Sequence, residues 1–333
     1  MRGAGRPRAE RPRRIADGGP LISRRRELIA VLCLLGSLVC WAIPPVMLRH
    51  FAVADLIPDG YTTNLVRYPV STVLYIPLIA WAARRRGLGR FWYAALLPAA
   101  VNVIGQTFFA VAPYYMPAGT MSFLARVAIV WSILGAFVFF PDERRLARSP
   151  YFWAGAALSL GGFAIMAFAA LGTGDITRAG MVIILLCGVF WGLYDVTVRY
   201  TMRDLHPLVV FGVIGNYTSL GLILLAPLGE PASVLRLPPA EAALLAASAF
   251  IGIAAAHGLY YVAIQRLGIT VSAITLMLTP FLTLLAGHVF LHERLSGRQR
   301  VGGLILIAGA TLALWSRQRL SRRPPAMVDP NPD

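Results

Sequence analysis

VFWGLYDVTVRY, Val189 to Tyr200, is an apolar stretch of membrane-helix character that carries one acidic residue, Asp195. An earlier stretch echoes it: VCWAIPPVMLRH, Val39 to His50. Trp41 pairs with Trp191, Val46 with Val196 and Arg49 with Arg199, each at an interval of 150 residues. The same interval relates Pro77 to Pro227, Thr120 to Thr270, Ser122 to Ser272 and Glu143 to Glu293. One matching helix arises by chance; several segments in one register imply a duplicated half.

Composition fixes the class. Of 333 residues, 57% are hydrophobic and 14% charged, against roughly 25% charged in soluble domains. The mean hydropathy is +0.66, and apolar runs of about 20 residues recur, long enough to cross a bilayer. A soluble α/β protein with buried strands would show runs of only about 4–8 residues. The net charge of +16 is carried by Arg without Lys. Most of it sits in tails and short loops beside apolar spans, the positive-inside pattern, so no nucleic-acid partner is expected. Cys33, Cys40 and Cys187 fall inside apolar spans and read as small packing residues.

Residues 1–22 hold six Arg, four Gly and three Pro and read as a disordered tail. The apolar stretch after Arg24–Arg26 runs to Leu48, longer than a signal-peptide core, and reads as a retained span. Spans are predicted near 28–48, 61–82, 92–112, 118–140, 151–171, 180–200, 208–228, 242–264, 270–291 and 299–316. The expected chain is therefore an all-α polytopic membrane protein: a basic tail (1–27), one five-helix repeat (28–171), a second (180–316) and a C-terminal tail (317–333). Loop charges place both termini in the cytoplasm of a multi-pass cell-membrane protein. The ninth loop, with Arg294, Arg298 and Arg300, runs against that bias. Five spans per half make the second half enter from the opposite side. The result is an inverted repeat, which in secondary transporters puts a substrate site near the midplane.

These residues carry a family resemblance. Trp-Ala and Trp-Gly in spans one and six, Arg67 in span two, Asp142-Glu143-Arg144 and His292-Glu293-Arg294 after spans four and nine, and the glycines of spans five and ten together resemble EamA-type members of the drug/metabolite transporter superfamily. The resemblance covers about residues 28–316. It implies ten helices, a central cavity between halves and transport of small metabolites. In one departure, span nine has Pro280 where span four has Val130, with Arg126 a turn earlier. The first half is thus expected to be specialised for binding.

An ionised residue at bilayer depth costs about 2.5–3.5 kcal/mol on insertion scales and needs a partner, water or a function. By helical rise, Arg126 lies about 12 Å and Arg67 about 9 Å below the outer face. Asn102 and Gln106 reach similar levels, giving a donor-rich outer layer. Asp195, His257 and Asn216 lie deeper. A cationic layer above an acidic and imidazole layer would grip a carboxylate or a zwitterion, and Asp195 could couple that grip to a proton. The candidate substrate-binding residues are Arg126, Arg67, Trp41, Trp191, Asn102, Gln106 and Asn216. The candidate coupling or gating residues are Asp195, His257, Glu143 and Glu293.

Plainer readings exist for several. Asp195 and Arg199, spaced i,i+4 with the acid first, suit a local ion pair. Arg67 could snorkel outward, and His257 or the tryptophans could simply pack. His288 and His292 share a helical face but need further ligands for zinc, so no metal and no cofactor is expected. No Walker motif is present, which leaves secondary rather than ATP-driven transport. Gly188 and Gly192 form GxxxG, suited to internal packing or to a homodimer. The sequence thus favours a secondary transporter, in the exporting direction, of small polar metabolites such as amino acids or organic anions. An intramembrane enzyme or a membrane scaffold or sensor is the alternative, and no enzyme is expected.

Overall fold

The computed structural model describes residues 20–171, 177–291 and 297–321, and among these it is helical without strands. Eight helical stretches are long and apolar enough to cross a membrane. They are α1 (Arg25–Val53), α2 (Gly60–Arg85), α3 (Gly89–Tyr114), α4 (Ala118–Phe139), α6 (Arg178–Met202), α7 (Pro207–Leu228), α8 (Pro239–Leu267) and α9 (Ile269–Ala286). Two further helices, α5 (Pro150–Leu171) and α10 (Gly297–Ser321), pack along each other. In α10 the apolar part is the shorter stretch Arg300–Ala313.

Local chemistry sets the interruptions. α1 breaks at Ile43 because Pro44 and Pro45 follow, which cannot donate backbone hydrogen bonds. α2 starts at an Asp59 cap, whose carboxylate accepts from Thr62 N at 2.7 Å and from Glu230 N at 2.8 Å. That one side chain ties α2 to the α7–α8 connection. α4 and α9 each contain a 3₁₀ turn, at Ala125–Val127 and Leu276–Leu278. In α9 the turn precedes Pro280, whose ring displaces the carbonyl four residues back, that of Leu276. α8 carries a π-helical segment at Phe250–Ala255, a feature often found at functional sites.

Close packing relies on missing side chains. Gly188 and Gly192 lie against the α4 backbone at Ala128, so this GxxxG serves an internal contact. On α5, Gly155 and Gly162 abut the α10 backbone near Gly309 and Gly302.

The packed pairs follow a pattern. α1 lies on α8 and α9, α6 on α3 and α4; α2 lies on α8, α7 on α3; α2 meets α7, α4 meets α9, α5 meets α10. Exchanging α1–α5 with α6–α10 maps this set onto itself. At one end of the bundle Arg49, near the C-terminus of α1, donates to Pro113 O, and His50 bonds to Glu241 at 3.1 Å. At the other end Arg199, near the C-terminus of α6, bonds to Asp142 and Glu143.

Candidate functional site

A cavity lies between α1–α4 on one side and α6, α8 and α9 on the other. Seven of the residues singled out from sequence line it: Trp41, Arg67, Gln106, Arg126, Trp191, Asp195 and His257. They come from six helices, α1, α2, α3, α4, α6 and α8. The residues expected in an outer cationic layer and an inner acidic one, Arg67 and Arg126 with Asp195 and His257, line the same cavity. The broken helices bring both charge signs onto the wall of one chamber.

Among the described residues, each cavity arginine has one nitrogen hydrogen-bonded and another buried without a partner. Arg67 is 2% exposed, so it does not snorkel; its Nε donates to Ser248 Oγ at 3.1 Å. Arg126 Nη1 donates to Leu276 O at 3.4 Å, the carbonyl that Pro280 cannot satisfy. Among the described residues, three buried side-chain nitrogens have no hydrogen-bond partner: Arg67 Nη1, Arg126 Nε and Trp191 Nε1. All three side chains line this cavity. Neither arginine has a carboxylate within ion-pairing distance among the described residues. Orphaned buried donors cost about 1–3 kcal/mol each, and more when charged, unless a ligand or water satisfies them.

Asp195 accepts from Ser132 Oγ at 2.7 Å and from Tyr260 OH at 3.3 Å, both on Oδ2. The local Asp195–Arg199 ion pair does not form. Arg199 turns instead to Asp142 and Glu143, beyond α4. Glu143 is 5% exposed and also accepts from Ile269 N at 2.8 Å. Position 268 there has φ +85° and packs on the Glu143 carboxyl, so both the backbone and the space call for Gly268. A buried carboxylate with two well-placed donors outbids an i,i+4 neighbour, because tertiary desolvation strengthens the bond. Glu143 is thus a bundle-end clasp, away from the cavity lining. Its sequence counterpart Glu293, with His292, lies outside the described residues.

Two expected contacts lie elsewhere. Asn102 is buried in a polar cluster, donating to Tyr68 OH at 3.2 Å and to Thr218 Oγ1 at 3.1 Å. Asn216 donates to Gly212 O at 2.8 Å, on its own helix. Neither lines the cavity. Gln106 lines it and donates to Asn102 Oδ1 at 3.4 Å.

The two tryptophans take related places. Trp41 Nε1 donates to Gly252 O in the π segment at 3.0 Å, and its ring meets His257 edge-on at 5.1 Å. Trp191 covers Gly105 on α3. His257 Nδ1 is 3.1 Å from Ile253 O, and its ring stacks on Phe211. Sequence reasoning missed Ser132, Tyr194 and Tyr260. Tyrosines in an apolar span read as packing; the signal was Tyr260-Tyr261 three residues after His257. No group of three or more His, Cys, Asp or Glu side chains suited to a metal occurs among the described residues.

Comparison with known proteins gives three findings. Residues 178–315 match the EamA-like transporter family. A protein of Streptantibioticus cattleyicolor named "Probable terminal-alkyne amino-acid exporter" is 30% identical over 217 residues, spanning 63% of this chain and 67% of that protein. A solved crystal structure superposes with a TM-score of 0.62 at 20% identity, over 87% of this chain and 98% of that one, and shares the fold.

Proposed function

The chain belongs to the EamA-like transporter family of the drug/metabolite transporter superfamily, and from that premise we propose a secondary transporter that exports small amino acids or related organic anions by alternating access. The observation that carries the substrate class is the set of orphaned donors: Arg67 Nη1, Arg126 Nε and Trp191 Nε1 are buried without a partner, on three side chains that line one cavity. A carboxylate has acceptors only and suits them. Asp195 on the same wall suits an ammonium, so a zwitterion fits better than a simple anion. The relative named as an amino-acid exporter supports the direction and the class.

In this reading α1–α5 and α6–α10 are inverted repeats and all ten helices cross the cell membrane, with the Glu143 end in the cytoplasm. The self-mapping of the packed pairs and the opposite ends reached by α1 and α6 support it. Asp195 is the proton-coupling group, and His257 and Glu143 adjust closure. Any homodimer would use a surface other than the occupied GxxxG.

The test is counterflow in proteoliposomes of the purified full chain. A labelled small amino acid should enter vesicles preloaded with the same solute, and a pH gradient should drive its accumulation. Absence of exchange for a panel of amino acids and small carboxylates would sink the substrate reading. In whole cells, a cysteine replacing Ala54 should react with an impermeant thiol reagent and one replacing Arg85 should not; equal labelling would remove the topology.

A further inference from the structure

Beneath the central cavity lies a second one, at the Glu143 end between α6, α7 and α8. Its wall includes Arg199, Arg203, Asp204, Gln265 and Tyr261. The two cavities share no lining residue. A pair of side chains links their walls: Tyr194 lines the upper cavity, Tyr261 lines the lower, and their hydroxyls hydrogen-bond to each other. One residue along each helix, Tyr260 OH donates to Asp195. Thus the neighbours Tyr194-Asp195 on α6 and Tyr260-Tyr261 on α8 exchange two bonds in adjacent positions.

The helices behind these bonds belong to different groups. α6 packs along α3 and α4, whereas α8 packs along α1, α2 and α7. The tyrosines are long enough to bridge from one group to the other. Tyr194, Tyr260 and Tyr261 are at most 5% exposed. A hydroxyl pair exchanges its partner for water at a net cost of only about 0.5–1.5 kcal/mol.

We propose that the Tyr194–Tyr261 contact is the inner gate of the central cavity, and that the lower cavity is the vestibule from which solute enters. The Tyr260–Asp195 bond, set one residue away, ties the gate to the binding wall. The proposal rests on the transport reading only in assigning the vestibule to the cytoplasmic solution.

Accessibility tests it without requiring transport. In a full-length background lacking Cys33, Cys40 and Cys187, Ala128→Cys reports on the upper cavity and Arg203→Cys on the vestibule. An impermeant maleimide is applied to inside-out vesicles, and the labelling rate is followed. With both tyrosines intact, Ala128→Cys should label slowly and Arg203→Cys fast. Tyr261→Ala should raise the Ala128→Cys rate about tenfold, and Tyr194→Phe with Tyr261→Phe by a smaller factor, since the rings remain while the bond is lost. The Arg203→Cys rate should stay unchanged. Should Tyr261→Ala fail to fold, the double Phe variant decides, because it keeps the packing volume. An Ala128→Cys rate unmoved by folded tyrosine variants would overturn the gate. A flat rate in a protein that still performs counterflow sinks the gate alone, and faster labelling in a protein that moves no amino acid sinks only the substrate.

Discussion

Trp41 and Trp191 occupy matching places in the two halves, yet their indole nitrogens meet different fates. Trp41 Nε1 is spent on Gly252 O in the π segment of α8, whereas Trp191 Nε1 is buried without a partner. The same contrast runs through neighbouring positions: Arg126 stands against Leu276, and Asp195 against Pro45, at the interval of 150 residues. The packed helix pairs map onto one another while the chemistry does not. Structural bonds can be satisfied twice over by equivalent backbones, but a ligand with two unlike ends needs unlike walls.

Mutations that even out the halves break this comparison most directly. The largest effect is expected on the framework side. Glu143→Ala strips Arg199 and Ile269 N of a buried acceptor and should cost about 3 kcal/mol, read as a large fall in detergent melting temperature. Asp142→Ala, on a carboxylate that is 68% exposed, should cost under about 1 kcal/mol. Equal losses would deny that Glu143 is the clasp.

Next comes Arg126→Leu, which copies position 276 onto its counterpart. Amino-acid binding by calorimetry should weaken on the order of 100-fold, or about 3 kcal/mol, with the melting temperature maintained. Arg126→Lys should restore only part, because an ammonium lacks the guanidinium fork. Wild-type affinity in the leucine variant would remove Arg126 from the site.

Asp195→Asn comes third. The amide oxygen can still accept from Ser132 and Tyr260, so the wall should keep its shape; a zwitterion should bind more weakly for want of the charge facing its ammonium, and accumulation driven by a pH gradient should collapse to downhill exchange. Accumulation that stays pH-driven in this variant would end the coupling role. Because Arg199 is held by Glu143 and Asp142, loss of the Asp195 charge should not destabilise α6 through Arg199.

The smallest effects separate the tryptophans themselves. Trp41→Phe should lower stability by about 1 kcal/mol through the lost Gly252 bond, and Trp191→Phe should leave stability alone while weakening binding severalfold. Identical stability changes would mean the two indoles play one structural part.

Much of this was legible in the chain because membrane insertion penalises polar residues strongly enough to mark them. Arg67, Arg126, Gln106, Asp195 and His257 stood out for that reason, and all line the cavity. The Asp195–Arg199 reading failed because periodicity sees only neighbours on one helix, while Glu143 arrives from beyond α4 with two donors already aimed at it. Asn102 and Asn216 were misplaced for a related reason. Depth along a helix was known, but the face was not: Asn102 points into a helix–helix contact, and Asn216 bonds to Gly212 O on its own helix and to Thr72 O on α2. The π segment left no signature at all. Phe250–Ala255 is as apolar as any helical turn, and its carbonyls are claimed by distant donors such as Trp41 and Tyr75.

That π segment has a consequence for the phase of α8. A π turn holds about one residue more than an α turn, and each residue advances a helix by about 100°. Ser248, which steadies Arg67, precedes the segment; His257, Tyr260 and Tyr261 follow it. The extra residue therefore sets the angle between the part of α8 that serves the arginine and the part that serves the carboxylate. Deleting one residue within Phe250–Ala255 would leave a regular and equally apolar helix, yet swing Tyr260 away from Asp195 or Ser248 away from Arg67.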